Sequence, residues 1–312
     1  MVRSARRHQD RVKDRGVRIA AFTGFGKAQM KRVAILRAAA SLLLILASAG
    51  SALAQATAPA ASPTTASPTT ASPTTASPAT SPPAPPKIEP AALAILKAAS
   101  DRLAGAQTMR FTARASYEHF ALNGQPLVYM TVSEVSLHRP NRLRVTTPGD
   151  GEGTDFLYDG KTMMAYVPDA DTVAVGPAPP TIDAMVKQAY DQAAIYFPFV
   201  DVIVADPYKD ITEGLVSAFV IGKSGAVGGT ATVMLALATE NVQAQVWIGV
   251  DDHLPRMIRA VYPKETGMPR YEVEFSDWKL GGPIADSAFA SIPAAKAKRT
   301  VFARPDAEAA PK

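Results

Sequence analysis

The 312-residue chain has no cysteine, so neither a disulfide framework nor a thiolate site can be built from it. Histidine is nearly as scarce. His8 stands apart near the start, and His119, His138 and His253 sit in separate segments without H-E-x-x-H spacing, so a zinc site has no support. Long apolar runs are missing too. The main one, Ala38–Ala49, falls short of the roughly 20 residues that a spanning helix needs. No G-x-S-x-G occurs. Gly222-Lys223-Ser224 hints at a phosphate loop, but position 217, where that loop needs glycine, is Ser217. The catalytic inventory is empty at motif level, and no cofactor is expected.

The net charge of +5 is misleading, because eleven Lys/Arg and only two Asp/Glu fall within residues 1–54. Residues 55–312 keep twenty-two Lys/Arg and twenty-six Asp/Glu, a balance of −4. A nucleic-acid partner, which demands a basic face to displace counterions, is not expected.

Met30-Lys31-Arg32 and Arg37 form a short basic segment, followed by the apolar run and by Ala52-Leu53-Ala54. Basic region, apolar core and A-x-A site together describe a secretory signal peptide over residues 30–54. Residues 1–29 then read as the product of a start assigned too early. Arg6-Arg7 is a weak twin-arginine cue, since no apolar run follows closely. No cysteine follows the cleavage site, so a lipid-modified N-terminus is not expected, and the mature protein is expected in the periplasm. Residues 55–87 repeat Ala-Ser-Pro-Thr-Thr three times and continue in proline. With no charge before Lys87 and no large side chain, this stretch reads as a loose, extended spacer at about 3.1 Å per residue.

Residues 88–305 carry the periodic patterns of a fold, and residues 306–312 read as a tail. Pro90 opens a helix in which Leu93, Leu96, Ala99 and Leu103 recur at helical spacing, with Gly105 as its stop. The period then drops to two. Phe111, Ala113, Ala115 and Tyr117 alternate with polar residues; Asn123-Gly124 signals a hairpin, and Leu127 to Leu137 returns. Strands follow at Arg142–Thr147, around Phe156 and Tyr158, and around Met164 and Tyr166 across an Asp159-Gly160 turn. Thr181 caps a helix from Ile182 to about Tyr196, and a second helical stretch runs from Phe199 to Ala205. Five more strands are expected: 215–221, 230–238, 242–250, 256–262 and 270–278. Strands, helices and strands again, without a βαβ rhythm, argue one antiparallel sheet with helices on one face.

Three polar clusters offer chemistry, and each has a plainer reading. Asp251-Asp252-His253 precedes Leu254-Pro255 and is read as a turn rather than metal ligands. Glu272 and Glu274, two residues apart on a strand, are read as a solvent-facing pair. Gly149-Asp150-Gly151-Glu152-Gly153 is read as a flexible glycine loop rather than a cation site.

Leu137-His138-Arg139-Pro140-Asn141-Arg142-Leu143-Arg144 resembles a turn of the periplasmic LolA/LolB-like family. Tyr158-Asp159-Gly160-Lys161 is similar to a hairpin of the same family. So is Val246-Trp247-Ile248 with Asp251-Asp252 and Leu254-Pro255-Arg256, and the segment from Phe289 to Pro293 resembles the family's closing one. An uncharacterised branch, described only as predicted periplasmic proteins, looks most similar. The resemblance implies an α+β, mainly β fold: about eleven antiparallel strands in a half-open barrel, closed by helices around an apolar cavity for acyl chains.

The expected function is therefore a non-enzymatic periplasmic binder of a lipid, acyl chain or other amphiphile, with an envelope protein as a further partner. The alternative is an envelope interaction module with a filled core. Phe111, Tyr129, Leu143, Phe156, Tyr158, Met164 and Tyr166 are expected to share one concave face, covered by the helix around Met185 and Ala189.

Overall fold

The computed structural model describes residues 88–148 and 153–304. Residues 1–87, which include the expected signal peptide and spacer, residues 149–152 of the glycine loop and the expected tail from residue 305 lie outside them.

Helix α1 spans Pro90–Ala104, with proline in its first turn where the missing N–H costs nothing. It ends at Gly105 as expected, but in right-handed geometry at φ −71°. Glycine is suited here by crowding: an added Cβ would lie 3.1 Å from the Asp101 carbonyl oxygen.

Six strands follow: β1 (Thr108–Phe120), β2 (Pro126–His138), β3 (Arg142–Thr147), β4 (Thr154–Tyr158), β5 (Thr162–Val167) and β6 (Thr172–Pro177). Three helices interrupt them: α2 (Ile182–Ala193), α3 (Val200–Ile203) and α4 (Pro207–Thr212). Strands then resume as β7 (Leu215–Ser224), β8 (Thr232–Thr239), β9 (Gln243–Gly249), β10 (Pro255–Val261) and β11 (Arg270–Leu280). Short α5 (Ile292–Lys296) and β12 (Lys298–Thr300) close the described chain.

All twelve strands form one sheet in the order β12-β6-β5-β4-β3-β2-β1-β11-β10-β9-β8-β7. The ten strands placed from periodicity pair antiparallel, and β1 joins the two meanders by pairing with both β2 and β11. The additions are β6, antiparallel to β5 and the eleventh antiparallel strand, and β12, which runs parallel to β6. The three residues of β12 are too short to show a period. The end strands do not pair with each other, so the barrel stays open.

Thr181 caps α2 as expected, its hydroxyl accepting from Ala184 N at 3.3 Å. Helix α2 ends earlier than its apolar pattern suggests, because Ala194 turns left-handed (φ 56°) and sends Ile195-Tyr196-Phe197 onto the sheet as extended chain. The expected helix over residues 199–205 shrinks to α3. Helix α4 was not expected, although Asp206 caps it from its side chain to Lys209 N at 3.0 Å and Pro207 opens it.

The Arg139-Pro140 turn holds these helices in place. Pro140 O accepts from Ile182 N at 2.9 Å, at the start of α2. The Arg139 guanidinium donates to Ile203 O and Val204 O at 3.0 Å each, closing the end of α3. Asn141 in the same turn packs on Gly160, where φ is +90° and an added Cβ would lie 2.6 Å from the Asn141 side-chain nitrogen. Arg142 donates to Asp159 O. Two of the segments that resemble the LolA/LolB family thus touch.

Candidate functional site

The two halves of the helix-covered face are packed differently. Over β1 and β3–β5 the space is full. Phe156 meets Phe197 with ring centroids 5.0 Å apart, and Phe111 meets Phe199 at 5.5 Å. Met109, Leu143, Tyr158, Met163 and Met185 are wholly buried around them. The Tyr158 hydroxyl donates to Pro179 O at 2.5 Å. Burial above all, then the nearby Asp159 charge, push that phenol up to about 12.

Over β8–β11 a cavity of about 310 Å³ remains. Leu237, Val246, Ile258 and Ala260 form its floor on the sheet, and Val186, Ile195 and Phe197 contribute from the helical side. Ile211 and Leu215 lie toward α4 and β7. The hole follows from side-chain volume. Where the filled half carries the bulky Phe156 and Tyr158, this half carries the facing pair Ala244 and Ala260, and packed interiors leave voids only where too little side chain reaches in.

Polar groups are concentrated among tyrosines and acids. Tyr190, Tyr196, Tyr262 and Tyr271 line the cavity. So do Asp191, Asp201, Asp210 and Glu213, with Lys187 the one cation among its described lining residues. Lys187 pairs with Asp191 one turn along α2, and both are exposed. Tyr271 donates its hydroxyl to Pro198 O. Burial, reinforced by neighbouring groups that include Asp201, raises the Tyr196 and Tyr271 phenols well above their ordinary value, so both stay neutral.

The eight residues expected to bind ligand divide among three places. Phe111, Leu143, Phe156, Tyr158 and Met185 come together in the filled half. Tyr129 lies at the rim, 42% exposed and stacked on Tyr117 at 5.6 Å. Met164 and Tyr166 do not share the concave face. They lie on the outer surface with Leu157 and Val173, beneath Ala294 and Ala297 from α5 and the residue after it. The reason is register: Met163 pairs with Tyr158, and Met164 with Leu157, so the inward residues of β5 are Met163 and Ala165. With apolar residues at both 163 and 164, alternation alone leaves the phase of this strand open.

None of the eight is among the described residues lining the cavity. The cavity is signalled in the sequence by small inward residues, Ala244 and Ala260, beside Tyr262 and Tyr271, a pattern that bulky apolar alternation does not reveal.

Asp251-Asp252-His253 forms the turn expected. Asp252 accepts from Leu254 N at 3.0 Å and pairs with Arg256 at 2.5 Å. Burial works against its ionisation but is outweighed by these bonds, which hold its carboxyl below the usual range. Glu272 and Glu274 face outward beside Arg114 and Arg259 on neighbouring strands. Among the described residues, no group of three His, Asp or Glu side chains converges in a way that could hold a metal, and no helix is long and apolar enough to cross a membrane.

Residues 92–303 match the family model described as "Predicted periplasmic protein (DUF2092)". The chain belongs to this family. A periplasmic location follows for the DUF2092 chain, as its export signal led one to expect. Among solved structures, LprF from Mycobacterium bovis is similar at 16% identity, covering 67% of this chain and 99% of LprF, with a TM-score of 0.41. The LolA superfamily protein NE2245 from Nitrosomonas europaea is similar at 10% identity (64% of this chain, 97% of that one, TM-score 0.32). MucB in the Pseudomonas aeruginosa MucA/MucB complex is similar at 18% identity (64% and 61%, TM-score 0.37). No curated protein matches the chain by sequence.

Proposed function

We propose that this DUF2092 protein is a non-enzymatic periplasmic binder that holds the apolar chain of a lipid or other amphiphile between α2–α4 and β8–β11. The observation that carries the reading is the unfilled apolar cavity of about 310 Å³. Ligand sites run roughly 300–1,000 Å³ and are mostly apolar with a few placed polar groups, so this one suits a single chain.

Two measurements test this. Organic extracts of protein purified from its native envelope should contain one amphiphile in near-stoichiometric amount by mass spectrometry. The neutral probe N-phenyl-1-naphthylamine should gain fluorescence on the protein, and Ala244→Trp, which fills the floor of the cavity, should abolish the gain. An unchanged signal in that variant would exclude the cavity as the site.

The interaction-module reading draws on a different place. At the β1–β2 hairpin end, Leu122, Val128 and Met130 are exposed, and Met268 is exposed in the β10–β11 connection. Such apolar groups favour contact with an envelope protein. Cross-linking in the native envelope should lose its product in Leu122→Asp/Val128→Asp but not in Ala244→Trp.

A further inference from the structure

The reading above leaves open which kind of head group the amphiphile carries. Resting on that reading, we infer that the cavity selects a chain bearing a cationic, ammonium-type head over a fatty acid or other anionic lipid.

Two independent features of the lining point this way. The first is its charge. Four carboxylates stand against one lysine, and that lysine pairs with Asp191. A carboxylate head would enter beside Asp201, Asp210 and Glu213 with no arginine or second lysine among the described lining residues to receive it. Like charges brought together in a partly dry site repel far more strongly than they do in water. An ammonium head meets the opposite situation.

The second feature is aromatic. Tyr196, Tyr262 and Tyr271 line the same space, as does Tyr190, whose ring already receives the Arg304 guanidinium 5.9 Å from its centroid, which leaves the other three for a ligand. The face of a phenol ring carries negative charge density that attracts a cation, and walls of such rings are a general means of holding quaternary ammonium groups. This attraction requires neither a free hydroxyl nor an unpaired carboxylate. Protonated phenols keep the rings available while adding no negative charge of their own, and Tyr196 and Tyr271 are held in that state. The apolar floor of Leu237, Val246 and Ile258 then takes the chain.

The test is displacement of N-phenyl-1-naphthylamine from the purified chain by dodecyltrimethylammonium, dodecanoate and dodecyl maltoside, each below its critical micelle concentration. Their tails are matched and only the heads differ. The cation should displace the probe at a concentration at least about tenfold lower than dodecanoate does, and raising the salt should narrow that gap. Asp201→Asn/Glu213→Gln should shrink the preference below about threefold; if this variant does not fold, the salt titration of the parent protein decides the point. Direct calorimetric titration with dodecyltrimethylammonium should show binding to the parent protein and none to Ala244→Trp, which separates the cavity from attraction to the acidic surface. Equal or tighter binding of dodecanoate would overturn the head-group assignment while leaving the chain-binding reading in place. Failure of all three to compete would remove both.

Discussion

One face of one sheet is packed in two ways in this molecule. Over β3–β5, inward residues are large and the α2–α3 connection lays Phe197 and Phe199 into them. Over β8–β11, the same alternation of inward and outward residues delivers Ala244 and Ala260, and a cavity remains. Both sides are antiparallel meanders; the filled side keeps its register throughout, and the open side has one break, between Pro255 and Met257 where β10 meets β9. What separates a filled core from an open cavity is side-chain volume at a few inward positions, not the period of the strands.

That contrast can be broken by mutation. Phe156→Ala should cost about 3–5 kcal/mol of unfolding free energy, because a wholly buried ring with close aromatic neighbours is removed. Leu237→Ala, which borders space already empty, should cost about 2 kcal/mol, the low end for such a change, and should weaken probe uptake. Denaturant titration of both, paired with probe fluorescence, checks the prediction. Equal losses of stability would dissolve the distinction between the two halves.

A smaller effect is expected at Gly160. Alanine there must adopt φ +90° and push its Cβ against Asn141, at a cost above about 1 kcal/mol. Since Asn141 belongs to the turn that fixes α2 and α3, Gly160→Ala should also reduce probe binding across the molecule. Unaltered binding would show that the filled half does not support the open one.

The smallest effects are those of pH, and they differ in sign. The Tyr158 phenol is raised in the folded protein, from 10.0 to about 12. Its contribution is thus complete below pH 10 and lost as pH rises toward about 12, a loss that Tyr158→Phe should remove from the alkaline limb. Asp252, at the turn between β9 and β10, is depressed from 3.8. Its contribution is present above that pH and declines as pH falls through the lower folded value. Because Asp252 is 39% exposed, solvent screening keeps this term small, and Asp252→Asn should change only the acid limb. Unfolding curves from acid to alkaline pH read both.

Strand existence was legible in the sequence because period two survives wherever one face is buried. Phe111, Ala113, Ala115 and Tyr117 on β1, and Tyr271, Val273 and Phe275 on β11, lie buried as their alternation required. Phase was not legible on β5, where Met163 and Met164 are both apolar and β4 is buried on both faces. Helix α4 carried a readable signal in Asp206-Pro207, overlooked because its six residues are too few for a periodic stripe. The cavity itself was the least legible feature. A void depends on what several distant strands and helices fail to supply together, and no local pattern records that.

An open barrel leaves two rims that other chains could extend, strand upon strand. On β7 the main chain just ahead of α1 takes up part of that opportunity. Ile88 bridges Ala218 in parallel, Glu89 N donates to Ala218 O at 2.7 Å, and the Glu89 carboxylate accepts from Val220 N at 3.0 Å. The opposite rim is only three residues long and carries Lys298 and Arg299. Short, charged or already occupied edges resist runaway pairing between copies. A half-barrel can therefore keep its mouth open for a ligand without inviting fibril growth at its margins.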